Sequence, residues 1–209
     1  ELHNRLLQFV NIIVASLGIA GKDKDGAGAQ RFIHLGHGFD GDALASVPHR
    51  AHWQPVEYNA LHGGMQRWFA PMLAATIAQP AWQRLIVKLG EAASQLRGAQ
   101  RWYVEAHQFR IDTTDGIGRP PPEGAHRDGV DFVVVLLVDR VDIKGGETRV
   151  FEAEGTHGQR FALAQPWSAL LLDDARVIHE SPPIQPLGEA GHRDTLVLTY
   201  RAGAFQGED

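Results

Sequence analysis

Two side chains that can hold a divalent metal, His126 and Asp128, are separated by a single residue. Because successive side chains of a strand point to opposite faces, this spacing predicts that both point the same way. An imidazole nitrogen and a carboxylate oxygen on one face can chelate a single metal ion. A third ligand from a neighbouring strand would complete a set of two histidines and one carboxylate, which leaves coordination positions open. The pattern therefore predicts an oxygenase-type iron site, with room for a cosubstrate and O2.

Two further residues follow in an order that suits this chemistry. His179 comes after an apolar segment and the turn at Asp173 and Asp174, and Arg193 stands at the start of the last apolar segment. A cosubstrate that chelates the metal through a 2-oxo-acid end needs a cation for its far carboxylate. An arginine guanidinium can bind that carboxylate through two hydrogen bonds. The order predicts that Arg193 has this role.

The composition narrows the classes of partner. The chain has 209 residues and a net charge of −5, which predicts a single domain over residues 1–209 and argues against a nucleic-acid-binding surface. It has no cysteine and 11 histidines, so a metal must be held by His, Asp or Glu. We expect a small-molecule partner, no membrane partner, a cytoplasmic location and the possibility of a homo-oligomer.

The helical signals lie in the first half. Apolar residues at helical spacing over residues 6–20 predict an amphipathic core helix rather than a membrane span or a signal peptide. A second apolar face begins near Pro80 and stops at Gly98, which predicts a helix between them. Residues 1–101 are therefore predicted to be mainly helical support with substrate-pocket elements. The glycines around His34 and His37 favour a loop there.

The second half has the pattern of a β-protein. Segments rich in Val, Leu and aromatic residues alternate with Gly- and Asp-containing turns. The predicted strands cover residues 102–111, 132–138, 148–151, 160–163, 168–172 and 195–200. This spacing predicts an α+β fold with a mainly β core, a double-stranded β-helix (jelly roll, cupin-like) over residues 102–201 that carries the metal site. The Pro- and Gly-rich segment 113–124 is either a lid over the site or a stiff connector.

Five stretches carry a family resemblance over residues 104–201. They are HQFR (107–110), PEGAHRDGVDF (122–132), IKGGET (143–148), LDDARVIH (172–179) and GHRD (191–194). In this order they resemble the Fe(II)/2-oxoglutarate-dependent dioxygenases. Within that family they are most similar to the bacterial group that includes free L-isoleucine hydroxylases and biofilm-stress-and-motility proteins.

The resemblance implies a function and a set of site residues. Its cofactors are Fe(II), 2-oxoglutarate and O2, its products include succinate and CO2, and its substrate is a free L-amino acid. His126, Asp128 and His179 are implied as the catalytic metal ligands, and Arg193 as the 2-oxoglutarate anchor. Further cosubstrate-pocket candidates are Thr148, Gln108 and Arg110, and Arg201 is the rival to Arg193.

Two other functions remain open from the residues alone. A non-catalytic metal-dependent small-molecule sensor of the same fold, acting in a stress or biofilm response, would bind ligands without forming succinate. A zinc hydrolase could use the same two histidines and carboxylate, although hydrolysis gives Arg193 no role. Among the remaining histidines, surface positions are predicted for His49, His52, His62 and His157. His107 lies in a matching stretch and stays a candidate, whereas His192 faces either the cosubstrate or the solvent.

Overall fold

A computed structural model of the chain describes residues 33–40, 43–59, 63–120 and 124–207. The predicted helix over residues 6–20 and the following loop lie outside these ranges. The elements, in chain order, are β1 (Ile33–Asp40), β2 (Ala43–Ser46), β3 (Ala70–Pro71), α1 (Ala74–Ile77), α2 (Pro80–Arg97), β4 (Trp102–Asp112), β5 (Phe132–Val141), β6 (Ile143–Gly145), β7 (Thr148–Glu152), β8 (Gly158–Phe161), β9 (Ala169–Asp173), β10 (Val177–Glu180), β11 (Ile184–Pro186) and β12 (His192–Ala202).

The strands form a large sheet and two small ones. The large sheet has the order β2-β1-β4-β12-β5-β9, with β3 pairing with β1. A three-stranded sheet has the order β10-β7-β8, and β11 pairs with β6. Apart from the parallel pair of β1 with β3, these pairings are antiparallel. The fold is a mainly β jelly roll with helical support, as predicted.

Helix α2 covers one face of the large sheet. Pro80 stands at its first turn, where the missing N–H costs no hydrogen bond, and Gly98 ends it with φ of 94°. Its apolar residues recur every three or four positions and pack on even-numbered strand residues such as Trp102 and Leu198. The Tyr200 hydroxyl also donates a hydrogen bond of 2.9 Å to the carbonyl oxygen of Ile86. The predicted helix between Pro80 and Gly98 is confirmed.

The opposite face of the large sheet borders a cavity. Strands β4 and β12 are paired so that Ile111 lies opposite Arg193, Phe109 opposite Thr195 and His107 opposite Val197. These odd-numbered residues all line the cavity. The alternation of side chains thus gives one sheet two functions, a hydrophobic core under α2 and a cavity wall on the other face.

Several predictions about secondary structure are corrected. The described part of the first hundred residues contains β1, β2 and β3 besides its helices, and these strands were not predicted. His34 and His37 lie on β1 rather than in a loop. The six predicted strands are all present, but the short strands β6, β10 and β11 were not predicted. No helix within the described ranges is long and apolar enough to span a bilayer.

Candidate active site

Two backbone hydrogen bonds bring His126 and His179 together. The His126 N–H donates to the His179 carbonyl at 3.0 Å, and the His179 N–H donates back at 2.9 Å. The two rings lie with their centroids 4.5 Å apart. His126 Nδ1 is 3.0 Å from the carbonyl oxygen of Gly124, which leaves Nε2 as the ligand atom. A metal-binding histidine commonly donates its second N–H to such a carbonyl.

Asp128 is positioned by the carboxylate of a fully buried residue, Asp174. That carboxylate accepts hydrogen bonds from the backbone N–H groups of Asp128, Gly129 and Val130 at 3.0, 2.8 and 3.2 Å. The turn needs a left-handed conformation at Gly129, whose φ is 77°. The sequence predicted that His126 and Asp128 share a face through regular strand alternation, but they do not lie on a regular strand. Their geometry depends on a bridge to β10 and on Asp174.

The three side chains form a compact donor set. One ligand atom from each of His126, Asp128 and His179 lies within 4.8 Å of the others. His179 Nε2 is 3.5 Å from Asp128 Oδ2. Burial lowers the pKa of His179. The charge of Asp128 raises this pKa, and that of His126 lowers it further. The ring is therefore neutral at physiological pH, the state in which histidine binds a metal. This donor set fits Fe(II), which two histidines and one carboxylate commonly bind.

A second cluster with the same donor types lies in the cavity wall. It consists of His52, Glu105 and His107, all buried. His52 Nδ1 is 2.7 Å from Glu105 Oε2, and His107 Nε2 is 3.4 Å from the same oxygen. The predicted surface position of His52 is wrong, because the chain turns back on itself and pairs His52 with Arg67. The spacing of Glu105 and His107 on β4 was a usable signal, since it matches that of His126 and Asp128.

Arg193 is a buried cation without hydrogen-bond partners for two of its nitrogens. The residue is 3% exposed, and its Nε and Nη2 contact no acceptor among the described residues. Burial, and next the charge of Arg140, lower its pKa to about 10, so it stays protonated at neutral pH. The rival Arg201 donates from Nη1 to the Ala204 carbonyl at 2.8 Å and does not line the cavity.

The other three candidates do not reach the cavity wall formed by the described residues. Gln108 and Arg110 alternate with His107 and Phe109 and so face away from it, and their role in the cosubstrate pocket stays a prediction. Arg110 instead pairs with Asp194 at 2.5 Å. Thr148 is buried on β7 and is not among the residues that line the cavity.

The structure also places His192 and the described part of the Pro- and Gly-rich segment 113–124, for which the sequence left two alternatives each. His192 is half-buried and lies 3.3 Å from Asp139, on the outward side of β12 rather than beside the cavity. Pro120, from the Pro- and Gly-rich segment, lines the cavity, and the N–H of Gly118 donates to the carbonyl of Ile184 at 3.0 Å.

The family is decided by comparison with known proteins. The sequence pattern of the 2OG-Fe dioxygenase family matches residues 22–199. The chain belongs to this family. It therefore uses Fe(II), 2-oxoglutarate and O2, and acts as a 2-oxoglutarate-dependent dioxygenase on a small molecule. No curated protein matches the chain.

Solved structures agree with this membership. A bsmA homolog from Methylobium petroleophilum PM1 is 50% identical, with a TM-score of 0.82 over 98% of this chain and 84% of that one. IDO from Bacillus thuringiensis is 16% identical, with a TM-score of 0.69 over 98% of this chain and 86% of that one. The Fe(II)/(alpha)ketoglutarate-dependent dioxygenase TqaL is 18% identical, with a TM-score of 0.64 over 97% of this chain and 76% of that one. The last two likenesses show the fold alone.

The role of Asp174 gives a testable prediction. Asp174→Asn should lower the free energy of unfolding by about 1.5–3 kcal/mol, because it weakens hydrogen bonds between backbone N–H groups and a charged acceptor. It should also weaken Fe(II) binding, since Asp128 loses its fixed position. Urea unfolding of the metal-free protein and an anaerobic Fe(II) titration measure the two effects.

The matched control is the same change at the neighbouring residue. Asp173 is partly exposed and pairs with Arg97 at 2.7 Å. Asp173→Asn should cost less than about 1 kcal/mol, as is usual for surface ion pairs. Equal effects of the two substitutions on unfolding and on Fe(II) binding would contradict the role given to Asp174.

Proposed function

We propose that this dioxygenase binds Fe(II) through His126, Asp128 and His179 and hydroxylates a free L-amino acid. The observation that carries the proposal is the presence, in one cavity, of a compact donor set and a buried arginine with unpartnered nitrogens. A metal-chelating dicarboxylate satisfies both features at once. A hydrolase would leave Arg193 buried without a counterion, which is costly.

The first cluster, formed by His126, Asp128 and His179, suits the iron better than the second cluster in the cavity wall. In the cluster of His52 and His107, the Glu105 carboxylate is already close to both imidazoles, at 2.7 and 3.4 Å. In the first cluster, His126 and His179 are held by their own backbone, and the Asp128 carboxylate receives one hydrogen bond of 3.1 Å from Gln54 Nε2. Its second oxygen, Oδ2, is the one that lies near His179.

Each residue then has a defined role. When bound, Fe(II) with 2-oxoglutarate and O2 supplies the oxidation of a C–H bond, with release of succinate and CO2. His126, Asp128 and His179 hold the metal on one side and leave its other side open to the cavity. Arg193 binds the far carboxylate and so fixes the cosubstrate. Phe109 and Val197, on the cavity wall, exclude water from the reacting groups.

The metal assignment predicts a difference between the two clusters. Asp128→Ala should weaken Fe(II) binding by more than about 100-fold, because the loss of a ligand exceeds the effect of an outer-shell change. Glu105→Gln, the control in the second cluster, should leave Fe(II) affinity within about threefold of the unchanged protein, a difference under 1 kcal/mol. Anaerobic Fe(II) titration of both variants decides, and the reverse ranking would move the iron to Glu105.

The anchor assignment predicts a selective loss of cosubstrate affinity. Arg193→Ala should raise the Kd of 2-oxoglutarate by about 10- to 100-fold, because it removes charge-assisted hydrogen bonds to a carboxylate. Calorimetric titration of the Fe(II)-loaded protein without O2 measures this. Arg201→Ala serves as the control and should change the Kd little. An effect confined to Arg201→Ala would reverse the assignment.

The substrate class rests on the resemblance to free L-isoleucine hydroxylases and on the cavity. The test is succinate formation from 2-oxoglutarate with Fe(II), ascorbate and air, against a panel of free L-amino acids. We expect one or a few amino acids to raise succinate formation well above the substrate-free rate and to yield hydroxylated products. If no amino acid stimulates turnover, the dioxygenase activity would still stand, but the assignment of a free amino acid as the substrate would be wrong.

A further inference from the structure

The cavity contains a second arginine that the cosubstrate does not need. Arg67 lines the cavity, and its Nε is buried without a hydrogen-bond partner among the described residues. Its Nη2 donates to Gln54 Oε1 at 3.2 Å, and its guanidinium lies 5.5 Å from the centre of the Phe69 ring. Arginine stays protonated in proteins, so a partly buried guanidinium with a free donor favours an anionic ligand.

Different levels of β4 position Arg67 and Arg193. Arg193 lies at the level of Ile111 on β4, whereas His52, the backbone partner of Arg67, contacts Glu105. Glu105 and Ile111 are six positions apart along the strand, which corresponds to about 20 Å between their Cα atoms. The two arginines therefore enter the cavity from separate backbone levels, called the Arg67 end and the Arg193 end, and 2-oxoglutarate is assigned to the Arg193 end.

The Arg67 end also adjoins the metal cluster. Gln54 accepts a hydrogen bond from Arg67 through Oε1 and donates through Nε2 to Asp128 Oδ1 at 3.1 Å. Asp128 is also close enough for its charge to act on the pKa of His107. A molecule bound by Arg67 thus lies beside the proposed iron site.

Next to Arg67 are groups that suit a cation. Reciprocal backbone hydrogen bonds of 2.8 and 2.9 Å hold His52 opposite Arg67. His52 and His107 line the cavity, and the Glu105 carboxylate lies behind both rings. The negative charge of this carboxylate favours a cation at this part of the wall. Burial lowers the pKa of His107, which keeps that ring neutral.

We propose that this end of the cavity binds the substrate as a zwitterion, with Arg67 receiving the carboxylate and His52 and His107, backed by Glu105, receiving the ammonium group. Phe69 and Phe109 then contact an apolar side chain. The proposal rests on the proposed function and adds the residues that recognise the substrate. It requires that the α-carboxylate and the α-ammonium group of the substrate are both free, so amides, esters and peptides are excluded as substrates.

The test measures binding without turnover. Wild-type protein loaded with Fe(II) and 2-oxoglutarate is titrated anaerobically, by calorimetry, with each of the protein-forming L-amino acids. The tightest one is then compared with its deaminated acid, which lacks the ammonium group, and with its decarboxylated amine, which lacks the carboxylate. We expect the amino acid to bind at least about tenfold more tightly than either analogue.

Variants then assign each α-group to its residues. Arg67→Gln should weaken binding of the amino acid by about 10- to 100-fold and leave the affinity for the amine unchanged. Glu105→Gln should weaken binding of the amino acid and leave the affinity for the deaminated acid unchanged. Arg84→Gln, on the exposed face of α2, is the charge-matched control and should change nothing.

Other outcomes overturn the proposal. An equal loss for the amino acid and the amine in Arg67→Gln would make Arg67 a merely structural residue. Absence of binding by every amino acid would remove the zwitterion site. In both cases, intact 2-oxoglutarate binding and substrate-free succinate formation by the wild type would show that the proposed metal and cosubstrate sites still stand.

Discussion

The arrangement of the metal cluster depends on a small number of backbone hydrogen bonds. The reciprocal pair between His126 and His179 joins the segment before β5 to β10. The buried Asp174 carboxylate then holds the next three N–H groups, so the chain turns at Asp128 with little freedom. Preorganised ligands bind a metal without an ordering cost at the moment of binding. Rigid strands thus position side chains that come from irregular segments.

The cavity is organised by charge as much as by shape. Arg193 lines it at the level of Ile111, the carboxylate of Asp128 is in the metal cluster, and Arg67 lines it beside the Glu105 cluster. A buried charge without a partner is costly, so each of these groups favours a ligand of opposite charge. Membership in the family establishes the use of iron and of a dicarboxylate cosubstrate. The residues near Arg67 are proposed to bind a third charged molecule, the substrate. Selectivity would then come from unpaired buried groups that reject a ligand lacking one charge.

The sequence predicted those parts of the molecule in which local pattern determines structure. Apolar spacing was enough for α2, where Trp82 and Leu85 recur on the buried face, and for the long strands β4, β5 and β12. The candidates His126, Asp128, His179 and Arg193 were chosen from their order and from the resemblance, and all four line one cavity. The position of His52 could not be predicted, because it depends on a pairing with Arg67 across an irregular segment. Which side chains of β4 line the cavity could not be predicted either, because a one-residue step from His107 to Gln108 moves a side chain to the other face of the sheet.

The central claim is that the two clusters of histidine and carboxylate divide the work, one for iron and one for substrate. The most direct test is a crystal structure of the protein grown without O2 in Fe(II) and 2-oxoglutarate, with anomalous diffraction collected at the iron edge. The account predicts one strong peak among His126, Asp128 and His179, with the cosubstrate extending from it to Arg193. A peak among His52, Glu105 and His107 would contradict it.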